Sequence, residues 1–253
     1  MLSRRLIVCL DVQAGKVVKG VQFVSLREMG DPAELAARYE EQGADEIVFL
    51  NIAAGSEDRS GLIDTVRRSA DRLFIPLTVG GGIGSADDVG AMLRAGADKV
   101  SVNSAAVLRP QLLTDSAERF GVQCVVASID ARREGSNWRV YTRGGKTATG
   151  LDAIEWAEEC ARRGAGEILL TSIDRDGTRR GYDVELTRAV AGAVSIPVVA
   201  SGGGGKSSHV VDVFKYGNAD AALMAGALHD GSTSVSEVKS AMLAADICVR
   251  TAA

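Results

Sequence analysis

The sequence predicts an α/β fold, a parallel (β/α)8 barrel made of two similar halves. Three observations carry this. Eight short, strand-like apolar runs alternate with longer amphipathic segments. The segments between them carry helix start and stop signals. And the stretch IPLTVGGGI at 75–83 returns, little changed, as IPVVASGGGG at 196–205. Strands and helices in strict alternation make a parallel sheet, and eight units over 253 residues suit a closed barrel. A doubly wound open sheet is the alternative, but it normally carries one dominant phosphate loop, not two.

The strand-like runs are 6–11, 46–51, 75–79, 99–103, 123–130, 167–172, 196–201 and 220–225. They are apolar almost throughout, as strands buried on both faces are. The first, LIVCLD, meets Asp11 too soon to be a signal peptide and has no small-residue cleavage site, so it reads as a strand. The segment QAGKVVKGVQFVSLREMGD that follows reads as a long loop, a length that is unusual unless the loop closes over a site. Next, DPAELAARYEEQG has Asp31 as N-cap, Pro32 in the first turn, Glu34 three residues after the cap and Gly43 as the stop. SADDVGAMLRAG repeats the scheme with Ser85 and Gly96. In GLDAIEWAEECARRG, Leu151, Ile154, Ala157 and Cys160 fall on one helical face.

The halves align. GADEIVFL from Gly43 matches GAGEILLT from Gly164, and Ile75-Pro76 matches Ile196-Pro197, both 121 positions apart. Gly80 pairs with Gly202 and Ala97-Asp98 with Ala219-Asp220 at 122, and Asp11 with Asp130 at 119. Residues 1–253 are therefore expected to form one barrel of two half-barrels, about 1–120 and 121–253.

Composition narrows the function. Apolar residues make up 46% of the chain, as in a globular domain. A net charge of -4 without charge runs argues against nucleic-acid or membrane-surface binding, and no apolar run approaches a bilayer span of about 20 residues. Cytoplasmic location is the expectation. Cys9, Cys124, Cys160 and Cys248 form no CxxC pair and read as reduced thiols, with Cys9 and Cys124 in buried strands. His209 and His229 lack companions at metal-ligand spacing, so no metal and no cofactor are called for.

Barrel active sites lie at the C-terminal ends of the strands. Asp11 and Asp130 end the first and fifth strands, which face each other across the mouth. The glycine clusters after strands three and seven offer bare backbone N–H groups beside helix starts, two anion cradles for a ligand with a phosphate at each end. A glycine-requiring tight turn is the plainer reading of either cluster alone. Two carboxylates between two phosphate grips are arranged for general acid and base work on the middle of the ligand. Lys19, in the long loop, either holds a phosphate or is an ordinary surface lysine.

The motifs CLDV, VVKG, LTVGGGI, GADKVSVNSAAV, SIDARR, GAGEILLTSIDRDGT, RGYD and ASGGGGK resemble the cyclase subunit of imidazole glycerol phosphate synthase, from residue 1 to about 250. The sister phosphoribosyl isomerase family lacks the TSIDRDGT run in this form. The resemblance implies a bis-phosphorylated ribulosyl-formimino-carboxamide ribonucleotide and ammonia as substrates. It implies imidazole glycerol phosphate and aminoimidazole carboxamide ribonucleotide as products, and Asp11 and Asp130 as the acid/base pair. One phosphate would rest on Gly81, Gly82, Asn103 and Ser104. The other would rest on Asp176, Gly177, Gly203, Gly204, Ala225 and Gly226, with Thr171 and Ser201 binding the polar middle. A glutamine amidotransferase would deliver ammonia on the opposite face. It would enter through a ring of alternating charge formed by Arg5, Glu46, Lys99 and Glu167, with Asp98 and Gln123 on the partner face. The chain departs from the family at LNIAAG, where Asn51, Ala53 and Gly55 replace an acid and two hydroxyl residues. It departs also at Gln22, at MAGALHD, where Gly226 lacks a hydroxyl, and at Asn218, an apparent insertion. A sister isomerase and a non-catalytic bis-phosphate-binding barrel are the alternatives.

Overall fold

The computed structural model describes residues 3–21, 24–52 and 59–250. Gln22, Ala53 and Gly55, three of the departures above, lie outside them, as does the side chain of Lys19.

In chain order, β1 (Arg5–Gln13) leads into the hairpin β2 (Lys16–Val21) and β3 (Val24–Gly30). Then come α1 (Pro32–Glu41), β4 (Glu46–Asn51), α2 (Arg59–Ala70), β5 (Leu77–Gly80), α3 (Ala86–Arg94), β6 (Lys99–Val102), α4 (Ser104–Leu108) and α5 (Gln111–Phe120). The second half opens with β7 (Val125–Glu134) and the antiparallel pair β8 (Asn137–Thr142) and β9 (Thr147–Asp152). It continues with α6 (Ala153–Arg162), β10 (Glu167–Ser172), α7 (Val184–Ala193), β11 (Val198–Ser201), α8 (Ser207–Gly217), β12 (Ala221–Met224), α9 (Gly226–His229) and α10 (Val235–Ala244). Strands β1, β4, β5, β6, β7, β10, β11 and β12 pair in parallel in that order, and β12 pairs back to β1, which closes the eight-stranded barrel.

The three GAD-like sequences each do the same work. Gly43 and Gly96 (φ 94° and 111°), and Asn218 (φ 54°), take the left-handed conformation that ends a helix. The alanine after each is buried. The aspartate then caps a neighbouring strand: Asp45 accepts from Leu6 N–H at 2.8 Å, Asp98 from Leu77 at 2.8 Å and Asp220 from Val198 at 3.0 Å. At the fourth such place the chain has Gly166, because an added Cβ there would lie 2.2 Å from the Val122 carbonyl oxygen.

Three expectations are corrected. The segment after the first strand is a hairpin paired to β1, not a loop, because VVKGV supplies β-branched residues that can pair. Leu151 belongs to β9, and α6 starts only after Asp152, whose carboxylate accepts from the N–H groups of Ile154 and Glu155. Cys124 ends a 3-10 turn (122–124) and is half-buried rather than inside a strand. The four thiols are free, with Cys9 and Cys160 buried. Among the described residues no helix is long and apolar enough to cross a membrane.

Inside the barrel, side chains stack in layers set by the two-residue strand period. The floor holds Arg5, Glu46, Lys99 and Glu167. An apolar layer above it contains Ile7, Cys9, Val48, Val126, Leu169, Val199, Ala221 and Leu223. Asp11 and Thr171 then come at the mouth, two residues beyond Cys9 and Leu169, and Asp130 comes four beyond Val126.

Candidate active site

Strands β1 and β7 are diametrically opposite in the pairing order, so Asp11 and Asp130 face each other across the mouth. Burial pushes the Asp11 carboxyl up to about 6, and the like charge of Asp176 adds to the shift. Burial also pushes Asp130 up to about 6, with Asp176 adding and a hydrogen bond from Asn103 opposing. Asp176, expected beside a phosphate, also acts electrostatically on both aspartates, and its own pKa is raised by burial against a bond from the Gly177 N–H. Its side chain still meets water in the open mouth. Three carboxylates thus share one rim, and the pair on opposite strands, just before β1 and β7 run on into their antiparallel excursions, is poised to titrate close to neutral pH.

Asn103 orients Asp130 through its amide N–H, while its Oδ1 is buried with no protein partner among the described residues. A buried acceptor left open at an active-site rim marks a place for an N–H or O–H donor from a ligand.

Each glycine turn is duplicated in detail. Gly81 and Gly82 have φ of 90° and 74°, and Gly202 and Gly203 have 89° and 96°. The backbone therefore matches Gly81, not Gly80, with Gly202, which restores the offset of 121. Glycine is needed partly for packing: a Cβ on Gly81 would lie 2.1 Å from the Asn51 carbonyl oxygen, and one on Gly203 2.3 Å from that of Gly181. The turns thus need glycine for packing, and the same glycines place no side chain over their own N–H groups.

Beside each turn a short helix begins at the neighbouring strand's end, α4 at Ser104 and α9 at Gly226. Their N-caps, Asn103 (φ −117°, ψ −94°) and Ala225 (φ −137°, ψ −91°), share the same uncommon backbone conformation. Ser104 Oγ also accepts from the Arg143 N–H at 2.9 Å, which ties α4 to the β8–β9 turn. Gly177 (φ 72°) lies in the loop after β10, with open space around it. Thr171 and Ser201 are paired neighbours at the ends of β10 and β11. Lys19 sits on β2 opposite Arg27.

At the other end, the ring is closed. Arg5 bonds Glu46 at 3.0 Å and also Glu167, and Lys99 bonds Glu46 at 2.9 Å and Glu167 at 2.8 Å. Glu46 also accepts from Thr78 Oγ1 at 2.6 Å. Asp98 and Gln123 are exposed just before β6 and β7, on this same end of the barrel.

Sequence reasoning missed Asp88 and His209. Gly84 N–H donates to Asp88 Oδ2 at 2.9 Å, and Gly205 N–H to His209 Nδ1 at 3.3 Å. The signal was present: the offset of 121 that aligns the Ile-Pro pairs also aligns Gly84 with Gly205 and Asp88 with His209.

Comparison with known proteins identifies the family. Residues 5–234 match the family model described as histidine biosynthesis protein. The chain is 63% identical over 250 residues to imidazole glycerol phosphate synthase subunit HisF of Myxococcus xanthus, covering 99% of both chains. It is 57% identical to the subunits of the same name from Trichormus variabilis, over 254 residues, and Geobacillus thermodenitrificans, over 252, covering at least 99% of each chain.

Proposed function

The chain belongs to the histidine biosynthesis protein family, and within it to the cyclase subunits of imidazole glycerol phosphate synthase; from that premise we propose that Asp11 and Asp130 carry the proton transfers of the cyclase reaction. The observation that carries this is the pair of opposed carboxyls, each raised to about 6. A group titrating near the working pH both gives and takes protons effectively. Ammonia condenses with the substrate ketone, water leaves, and the ring closes and cleaves to imidazole glycerol phosphate and aminoimidazole carboxamide ribonucleotide. Each step moves a proton at the middle of the ligand, where the two aspartates stand.

The turn at Gly81 and Gly82, with Asn103 and Ser104, takes one phosphate. The turn at Gly203 and Gly204, with Asp176, Gly177, Ala225 and Gly226, takes the other. Thr171 and Ser201 bind polar groups between them, Lys19 of β2 helps to hold a phosphate, and the open Asn103 Oδ1 accepts from a ligand N–H or O–H. Asp176 contributes by repulsion, holding both aspartates partly protonated. The domain is one barrel of two half-barrels, about 1–120 and 121–253.

The relatives are named as subunits, and the fitting partner is a glutamine amidotransferase in the same cytoplasm. It docks on the floor against Asp98 and Gln123, and ammonia enters through the Arg5, Glu46, Lys99 and Glu167 ring. The apolar layer above the ring favours neutral ammonia over ammonium, since an unpaired ion there lacks solvation.

The test is turnover of the bis-phosphorylated substrate by the purified chain with an ammonium salt at about pH 8.5, where free ammonia is available. Imidazole glycerol phosphate formed only when ammonia is present supports the reading. Turnover without ammonia points to a sister isomerase, and saturable binding without turnover to a binding barrel.

A further inference from the structure

We propose that Asp88 and His209 are matched positioning residues, each clamping the glycine turn of its own half so that the phosphate cradle in front of it keeps its shape. The proposal rests on the cradle reading above and goes beyond it, because neither residue faces the ligand.

The two side chains sit in the first turns of α3 and α8, directly behind the cradles. Each takes the N–H of the last turn residue four positions earlier, Gly84 for Asp88 and Gly205 for His209. The turns need such a tie. Consecutive glycines with positive φ have no side chains to fix them and retain more freedom than any other residue type. Backbone donors serve as an anion site only when held in place.

The same hydrogen bond is made with different chemistry, a carboxylate in one half and an imidazole in the other. What is repeated is therefore an acceptor at that point in space. In the second half the ring does more. It also hydrogen-bonds the Gly203 backbone, and it packs 3.4 Å from where a Cβ on Gly181 would stand. Neither residue is the helix N-cap. Ser85 Oγ fills that place on α3, and Lys206 occupies it on α8 without a side-chain bond.

The experiment measures ammonia-driven kcat, the KM for the bis-phosphorylated substrate, inhibition by inorganic phosphate, and melting temperature. Asp88→Ala, Asp88→Asn, His209→Ala, His209→Asn and His209→Asp are compared with the wild type. Each alanine variant is expected to raise KM and weaken phosphate inhibition by about tenfold with kcat nearly unchanged, the size of one lost hydrogen bond. Asn at either place restores the acceptor and most of the affinity, and His209→Asp does so with the first half's own chemistry. A lowered melting temperature with KM unchanged would overturn the clamp, and so would an asparagine variant no better than alanine. Failure of inorganic phosphate to compete in the wild type would bring down the cradle reading itself, and the clamp with it. Competition in the wild type with unaltered KM in both alanine variants would overturn the clamp alone. Amide exchange in the wild type needs no variant: the N–H groups of Gly84 and Gly205 are expected to be protected, and free exchange at either contradicts the clamp.

Discussion

The two glycine turns have the same backbone and opposite charge. Gly81 and Gly202 agree in φ to within a degree, and the N-caps of the short helices beside them share one uncommon conformation. Yet the first turn runs into Ser85, Asp87 and Asp88, whereas the second runs into Lys206, Ser207, Ser208 and His209. Backbone geometry is what an anion cradle needs from each half, and side-chain charge is what the halves are free to vary. The same holds on the floor. Glu46 and Glu167 occupy equivalent places, but their cations, Arg5 and Lys99, do not. On the proposed reading the chemistry needs both aspartates, and at Asp11 and Asp130 the halves agree.

If Asp11 and Asp130 are equivalent in use, Asp11→Asn and Asp130→Asn should each lower kcat by about 10²–10⁴, the range of general acid–base catalysis. Steady-state kinetics with ammonia would show it. A variant that stays within tenfold of the wild type would end the equivalence. On the floor, Glu46→Ala should cost about 3 kcal/mol in urea unfolding, because it leaves two part-buried cations short of a partner. Glu167→Ala should cost less. Glu46 is 2% exposed and also bonds Thr78, whereas among the described residues Glu167 bonds only the two cations.

The aspartates should also weaken the fold they serve. A carboxyl whose pKa rises from 3.8 unfolded to about 6 folded costs stability when ionised. The cost is absent below about pH 3.8, grows between the two values and is full above 6. Asp11→Asn should therefore stabilise the protein at pH 7 by about 1–2 kcal/mol, less than the full shift because the mouth admits water. The gain should shrink as the pH falls towards 4, which thermal melts across pH would follow. The helix starts give the smallest effect. Ser85→Ala should cost about 1 kcal/mol through its lost bond to Asp88 N–H. Lys206→Ser, which supplies α8 with the missing cap, should gain about 0.5 kcal/mol while raising the KM for the phosphorylated substrate.

The barrel was legible because its strands are continuously apolar and its helices carry caps at Asp31 and Ser85, both of which the structure shows bonding as caps. The excursions were not. VVKGV and the strand before Asp152 are short and two-sided, with no single face to bury, so their pattern did not distinguish hairpin from loop or helix. The repeat itself would have corrected one of them, since Asp152 stands 121 residues after Asp31 and caps α6 in the same way. The positions of Asp11 and Asp130 could be read from where the apolar runs stop, although β1 and β7 continue to Gln13 and Glu134. Asp176 acting on both of them could not, because that depends on how the loop after β10 folds over the mouth. His209 had been weighed only as a metal ligand, and its use as a neutral acceptor appears only once the glycine turn is closed in space.

The most direct measurement is kcat/KM against pH from about 4.5 to 8.5, with ammonium adjusted so that free ammonia stays constant. Two buried carboxyls raised to about 6 predict a break near pH 6, with activity falling on the acid side as the required base is protonated. A profile that stays flat down to about 4.5 would mean that ordinary carboxylates, or none, carry the protons. It would contradict the account of the opposed aspartates as the working pair.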